Sequence, residues 1–157
     1  MDEKRFLFWI AYLKYVSLFF AVMGALWAIM GTFDPFGIYE GLMSEAFFDQ
    51  EKLPPEAKKI FSFILGPFGA TALGYFLLQY AITDFALIKR ERWAYNSILL
   101  AFLAWFVLDS MMSIFADAFF NVLLANLTTL VLMAPAMVGL YPYIAQTANT
   151  ERRRSQR

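Results

Sequence analysis

Three ionisable side chains, Lys14, Asp84 and Asp109, stand inside long apolar runs, so chemistry in this sequence would have to start from them. A charge at membrane depth is costly, and such a residue is paired, snorkelled to the surface, or used to handle protons or ions. Helix rise places Asp84 about 7 Å inside Lys89 and Lys14 about 12 Å inside Phe6, at similar depths near one surface. Either Lys14 reaches the headgroups while Asp84 caps the wet end of its helix, or the two form an ion pair that holds the first two helices in register. Proton or ion transport through them is a third reading.

Asp109 lies about 24 Å along its helix from Trp93, at a depth where a carboxylate needs a partner or a proton. A turn centred near Asp117 leaves Asn126 as far from the turn as Asp109, so the spacing predicts that they meet. An asparagine can serve the carboxyl in either ionisation state. Trp105, Asp109, Ser113 and Asp117 recur at four-residue spacing as a polar stripe, with Ser110 beside it and Asn121 at its outer mouth. Such a stripe is interhelical glue, or it lines a ligand or proton site.

On the second helix Gly66, Ala70 and Gly74, with Gly69 beside them, form a seam of small residues. The seam would let another helix approach closely, with Gly24 of the first helix as its counterpart. Alternatively the missing side chains open a cavity opposite Asp109, toward which Tyr75, Gln79 and Tyr80 turn polar tips. The 18 Phe and 4 Trp residues read as lipid contacts and core packing rather than as a cation cage.

The missing residue types exclude several chemistries. With 0 Cys there are no disulfides, thiolate nucleophiles or cysteine-bound clusters, and with 0 His the commonest general base, metal ligand and haem ligand are gone. No cofactor or metal site is indicated. A net charge of +0 gives no reason to expect a nucleic-acid partner. Four-helix membrane families of similar size fit poorly for related reasons. The small multidrug transporters carry a glutamate in the first helix, the disulfide-generating quinone enzymes need paired cysteines, and the sterol-isomerase-like family relies on His.

These residues are carried by an unusually apolar chain. The hydrophobic fraction is 61%, against roughly 45 to 50% for soluble domains, and the charges gather at the ends and in two loops. The pattern predicts an all-α integral membrane four-helix bundle made of two antiparallel helical hairpins, one domain over roughly 1–146. Its helices span about 6–31, 57–88, 93–116 and 119–143, each long enough for a bilayer that takes about 20 helical residues. Lys4 and Arg5 before an apolar run imitate a secretion signal. Lys14 interrupts that run and no small-residue cleavage pattern closes it, so it reads as a retained anchor helix.

The first outer loop holds Ile38, Leu42, Met43 and Phe47 on one helical face, which predicts a short amphipathic helix at the membrane surface. Pro54 and Pro55 start the second helix, and Pro67 and Pro135 are expected kinks. Residues 147–157 read as a basic cytoplasmic tail with too few apolar residues to fold alone.

Lys14 aside, cationic residues divide nine to three between the two faces, with Lys4, Arg5, Lys89, Arg90, Arg92, Arg152, Arg153, Arg154 and Arg157 on one and Lys52, Lys58 and Lys59 on the other. The positive-inside bias therefore puts both termini in the cytoplasm, in a plasma membrane of bacterial inner-membrane type.

The leading functional expectation is a non-enzymatic accessory, assembly or interaction subunit. Its partners would be membrane lipids and another membrane protein or a second copy of itself. A small proton-coupled carrier using Asp109 is one alternative. The other is a lipid or hydrophobic-ligand binder with an intramembrane pocket around Asp109 and Asn126.

Overall fold

In the computed structural model, which describes residues 2–31 and 33–155 and side chains as far as residue 146, the chain is all-α, with no strand among the described residues. The first long helix, α1 (Glu3–Met30), starts where the Asp2 carboxylate accepts from the Lys4 backbone N–H at 3.0 Å. It stops at Gly31, whose φ of 66° lies in the left-handed region and whose N–H reaches back to the Trp27 carbonyl.

Asp34 then caps the short helix α2 (Ile38–Phe48), its carboxylate accepting from the N–H groups of Ile38 and Glu40. Ile38 and Phe47 remain exposed on α2, whereas Ser44 turns inward and is buried. Lys58 clasps Glu40 at 2.9 Å and so ties α2 to the start of α3 (Pro55–Phe85).

Pro55 occupies the first position of α3, where its missing N–H costs nothing, and Pro67 is carried inside a continuous helix. A 3₁₀ turn (Leu87–Lys89) and a left-handed Arg90 close the short connection to α4 (Arg92–Phe115). A second tight turn uses Asp117 at φ 55° before α5 (Phe119–Asn121), a π-helical turn (Val122–Asn126) and α6 (Leu127–Ser155). The helix thus runs on through part of the expected tail. Gln156 and Arg157 lie outside the described residues.

Four helical stretches are long and apolar enough to cross a membrane: Glu3–Met30, Pro55–Lys89, Arg92–Phe115 and Phe119–Gln146. Large apolar side chains point outward along them, Phe63 at 75%, Val138 at 73% and Leu100 at 70% exposure, which fits a multi-pass membrane protein.

The main apolar core lies toward the end of the molecule where the chain begins. There Phe6, Ile10 and Leu13 of α1 meet Leu87, Ile98 and Phe102, and Met133, Met137 and Leu140 of α6. Four contacts help to stitch this end together. The Tyr95 hydroxyl donates to the Met137 carbonyl at 3.0 Å, the Phe6 and Tyr143 rings lie 5.2 Å apart, and Arg90 sits over Phe6 while pairing with Glu3.

Along the chain, α1 packs most extensively on α3. The backbones come close where Gly24 meets Gly69. A Cβ on Gly69 would stand 2.5 Å from the Ala28 nitrogen, and one on Gly24 would stand 2.6 Å from the Leu73 nitrogen. Gly139 of α6 makes room for the Trp9 indole in the same way, since a Cβ there would lie 2.2 Å from Trp9 Cε2.

Candidate functional site

Lys14, near the middle of α1, meets Asp84, in the last turn of α3, with 2.6 Å between Nζ and Oδ1. The ammonium also lies 4.9 Å from the centre of the Tyr80 ring, one turn before Asp84. Both charged side chains keep part of their surface exposed, 27% for Lys14 and 35% for Asp84. This contact crosses the α1–α3 junction at the end of the molecule opposite α2.

Asp109, in α4, is the centre of a second polar group at the other end. Its Oδ2 accepts from Asn121 Nδ2 at 2.9 Å, and the same amide nitrogen donates to Ser113 Oγ at 2.8 Å. The Ser113 hydroxyl donates back to the Asp109 carbonyl one turn earlier. Asn121 Oδ1 in turn accepts from the Tyr39 hydroxyl at 2.9 Å.

Tyr39 is wedged between Phe61 (6.0 Å, stacked) and Phe120 (5.3 Å, edge-on). Burial pushes the Tyr39 phenol up to about 12, and the Asp109 charge acts in the same direction. The hydroxyl therefore stays protonated and able to donate at neutral pH. Carboxylate, amide and phenol join α4, the turn after it, α2 and the start of α3 into one connected group.

The expected contact between Asp109 and Asn126 does not form. Asn126 donates from Nδ2 to Ser110 Oγ at 2.9 Å instead. The spacing about the turn brought Asn126 to the right layer, but Ser110 stands about 100° round the helix from Asp109, and the two residues face different neighbours. The π-helical turn that ends at Asn126 adds a residue to its loop of chain and changes which side of the last span is presented. Asn121 takes the Asp109 position because it and Ser113 lie equally far from Asp117.

Ser113 is buried with this group. Trp105, by contrast, packs ring against ring with Phe102 in the aromatic core, and Asp117 is an exposed turn residue, so the four-residue stripe divides along its length. Nothing in local spacing announces Tyr39, whose contact with Asn121 joins residues 82 positions apart.

The small residues of the second span divide as well. Gly69 is in the close seam with α1, whereas Gly66 and Gly74 have no heavy atom within 4 Å of a built Cβ, and Ala70 is exposed. Residues 66, 70 and 74 share a face that Gly69 does not, so the close seam with α1 uses Gly69 and Gly24 rather than the four-residue row.

Between the two charged groups lies a neutral polar contact. Gln79 of α3, 2% exposed, donates from Nε2 to Ser17 Oγ of α1 at 2.9 Å and touches Met133 Sδ of α6 at 3.5 Å. Gln79 carried only a polar tip in the sequence reading, and its place at the junction of three spans depends on packing. Among the described residues, no group of three or more His, Cys, Asp or Glu is placed to hold a metal ion. Set beside known proteins, the chain matches no family model, no curated protein and no solved structure.

Proposed function

We propose that this chain is a small non-enzymatic membrane subunit, an accessory or assembly component that docks a partner helix within the bilayer. The observation that carries this reading is the second span, the least covered of the four, whose Gly66, Ala70 and Gly74 row faces open space. A row of small residues lets a partner backbone come close enough for dispersion and Cα–H contacts, which drive helix association in lipid. The charged groups fit the same reading: Asp109 and the Lys14–Asp84 pair bind segments of their own chain together. That use leaves the carrier reading, which needs Asp109 to exchange protons along a path, with less support.

In this proposal the four spans form a bundle of two antiparallel hairpins, with both termini cytoplasmic and α2 lying on the outer surface of a bacterial inner membrane. The charge split between the two faces supports the orientation. The partner is another membrane protein or a second copy of this chain, and lipids cover the remaining apolar surface.

A photoreactive amino acid placed at Ala70 tests the proposal in native membranes, with Val138, also exposed but on another span, as reference. A discrete protein adduct from Ala70 and only lipid adducts from Val138 is the expected result. Lipid adducts alone from both positions would overturn it.

A further inference from the structure

Gln79 has one side-chain atom that its structural role does not use. The Ser17 hydroxyl spends its hydrogen on the Leu13 carbonyl at 2.7 Å, so toward Gln79 it can only accept. That fixes the amide with Nε2 toward Ser17 and leaves Oε1 facing away, buried and without a hydrogen-bond partner among the described residues. One turn toward the α2 end, on the same face of α3, the Tyr75 hydroxyl is likewise buried and unpartnered. Asn126, two turns from Met133 on one face of the last span and 0% exposed, holds Ser110 through Nδ2 and leaves its Oδ1 unpartnered.

Counted by helix rise from the Gln79–Met133 contact, Tyr75 lies about 6 Å and Asn126 about 10 Å toward the α2 end, so the three residues share one interior strip. Gluing helices together accounts for the two amide nitrogens and not for the oxygens. A Met or Leu at 79 or 126 would fill similar volume without burying a bare acceptor, which is expensive where no water competes. Two carbonyl acceptors and a phenol call for a molecule that brings hydrogen-bond donors. No charged side chain belongs to the strip, so the donor group is neutral. Phe76, in ring contact with Tyr75, and Phe102, Trp105 and Phe106, in the apolar core that includes Met133, suit an apolar chain.

We propose that Gln79, Tyr75 and Asn126 form an intramembrane binding site for a neutral lipid alcohol, whose hydroxyl donates to Gln79 Oε1 or Asn126 Oδ1 and accepts from Tyr75. The ligand enters from the bilayer between the second and third spans, which pack on each other far more sparsely than the first and second do. The half-buried Tyr75 ring swings aside to admit it. This site does not depend on the docking face, and either proposal stands if the other fails.

The test uses the full chain in phosphatidylcholine nanodiscs and a diazirine-bearing oleyl alcohol, compared with the methyl ether of the same probe. Saturable labelling by the alcohol, mapped to the stretches around residues 75–79 and 126–133 and about tenfold above the ether, is expected, because the ether cannot donate. Gln79→Met combined with Asn126→Leu should lower labelling about tenfold, and the single variant that lowers it more marks the acceptor in use, with helicity by circular dichroism reporting whether each variant folds. Unlabelled oleyl alcohol and dioleoylglycerol serve as competitors, and displacement by either supports the site while showing which kind of lipid alcohol it takes. Equal labelling by alcohol and ether in the unaltered protein would overturn the proposal even if both variants failed to fold. So would displacement by neither competitor, or undiminished labelling of a folded protein carrying both Gln79→Met and Asn126→Leu.

Discussion

Asp109 shows how closely a carboxylate in an apolar chain depends on one neighbour. Its amide donor is Asn121, so Asn121→Leu should destabilise the protein by about 1–3 kcal/mol, the cost of leaving a buried polar partner unmatched. Asp109→Asn in that background should recover part of the loss. Reversible unfolding in mixed micelles measures both, and an Asn121→Leu protein as stable as the original would remove the tie from the account. At the other end, Lys14→Ala should weaken folding and Asp84→Ala added to it should cost little more, because each residue answers the other. Simple addition of the two losses in the same assay would mean that the 2.6 Å contact carries no coupling. The depth and spacing of Lys14 and Asp84 made their meeting one of the readings open in the sequence, beside separate snorkelling and capping, and the structure pairs them. Asp109 was readable as a residue in need of a partner, but its partner was not, since depth is set by counting along a helix and direction by how the next helix is rotated.

At the scale of elements, the second span makes opposite use of similar residues. Gly69→Ala forces a Cβ to within 2.5 Å of the Ala28 backbone nitrogen, so it should push α1 and α3 apart and lower stability by about 1–3 kcal/mol. Gly66→Ala and Gly74→Ala meet no atom within 4 Å and should be neutral, or gain up to about 1 kcal/mol from helix propensity. Thermal unfolding of the three variants side by side decides the matter, and equal losses at all three would contradict the split seam. The short helix α2 has its own signature in pH. Tyr39 has a folded-state phenol raised to about 12, above its ordinary value of 10.0, so the folded form holds its proton longer than the unfolded form. The contribution of the neutral phenol is therefore complete below pH 10 and is lost as pH rises toward 12. Release of α2, followed by proteolysis of residues 38–48, should appear in that window, and Tyr39→Phe should remove the pH step while loosening α2 at every pH.

For the molecule as a whole, orientation can be read directly because the chain contains 0 Cys. Ala46→Cys on α2 should react in intact cells with a membrane-impermeant maleimide, whereas Arg5→Cys should react only after lysis. The reverse pattern would turn the proposed topology over. By itself the sequence determined the all-α class, four apolar stretches of spanning length and their ends within a few residues, except that the last helix runs on to Ser155 through the expected tail. These are properties of local composition, helix rise and the backbone preferences of Gly31, Pro55 and the turn near Asp117. It also marked which residues were too polar for their surroundings. Only the tertiary structure decided that Asn121 rather than Asn126 meets Asp109, that Tyr39 closes that group from the distant helix α2, that Gly69 rather than the row of Gly66, Ala70 and Gly74 enters the seam, and that Gln79 stands between three spans. Each of those outcomes depends on the rotation of one helix about its axis relative to another. A single π-helical turn or one residue of offset changes that rotation while leaving the apolar pattern along the chain untouched.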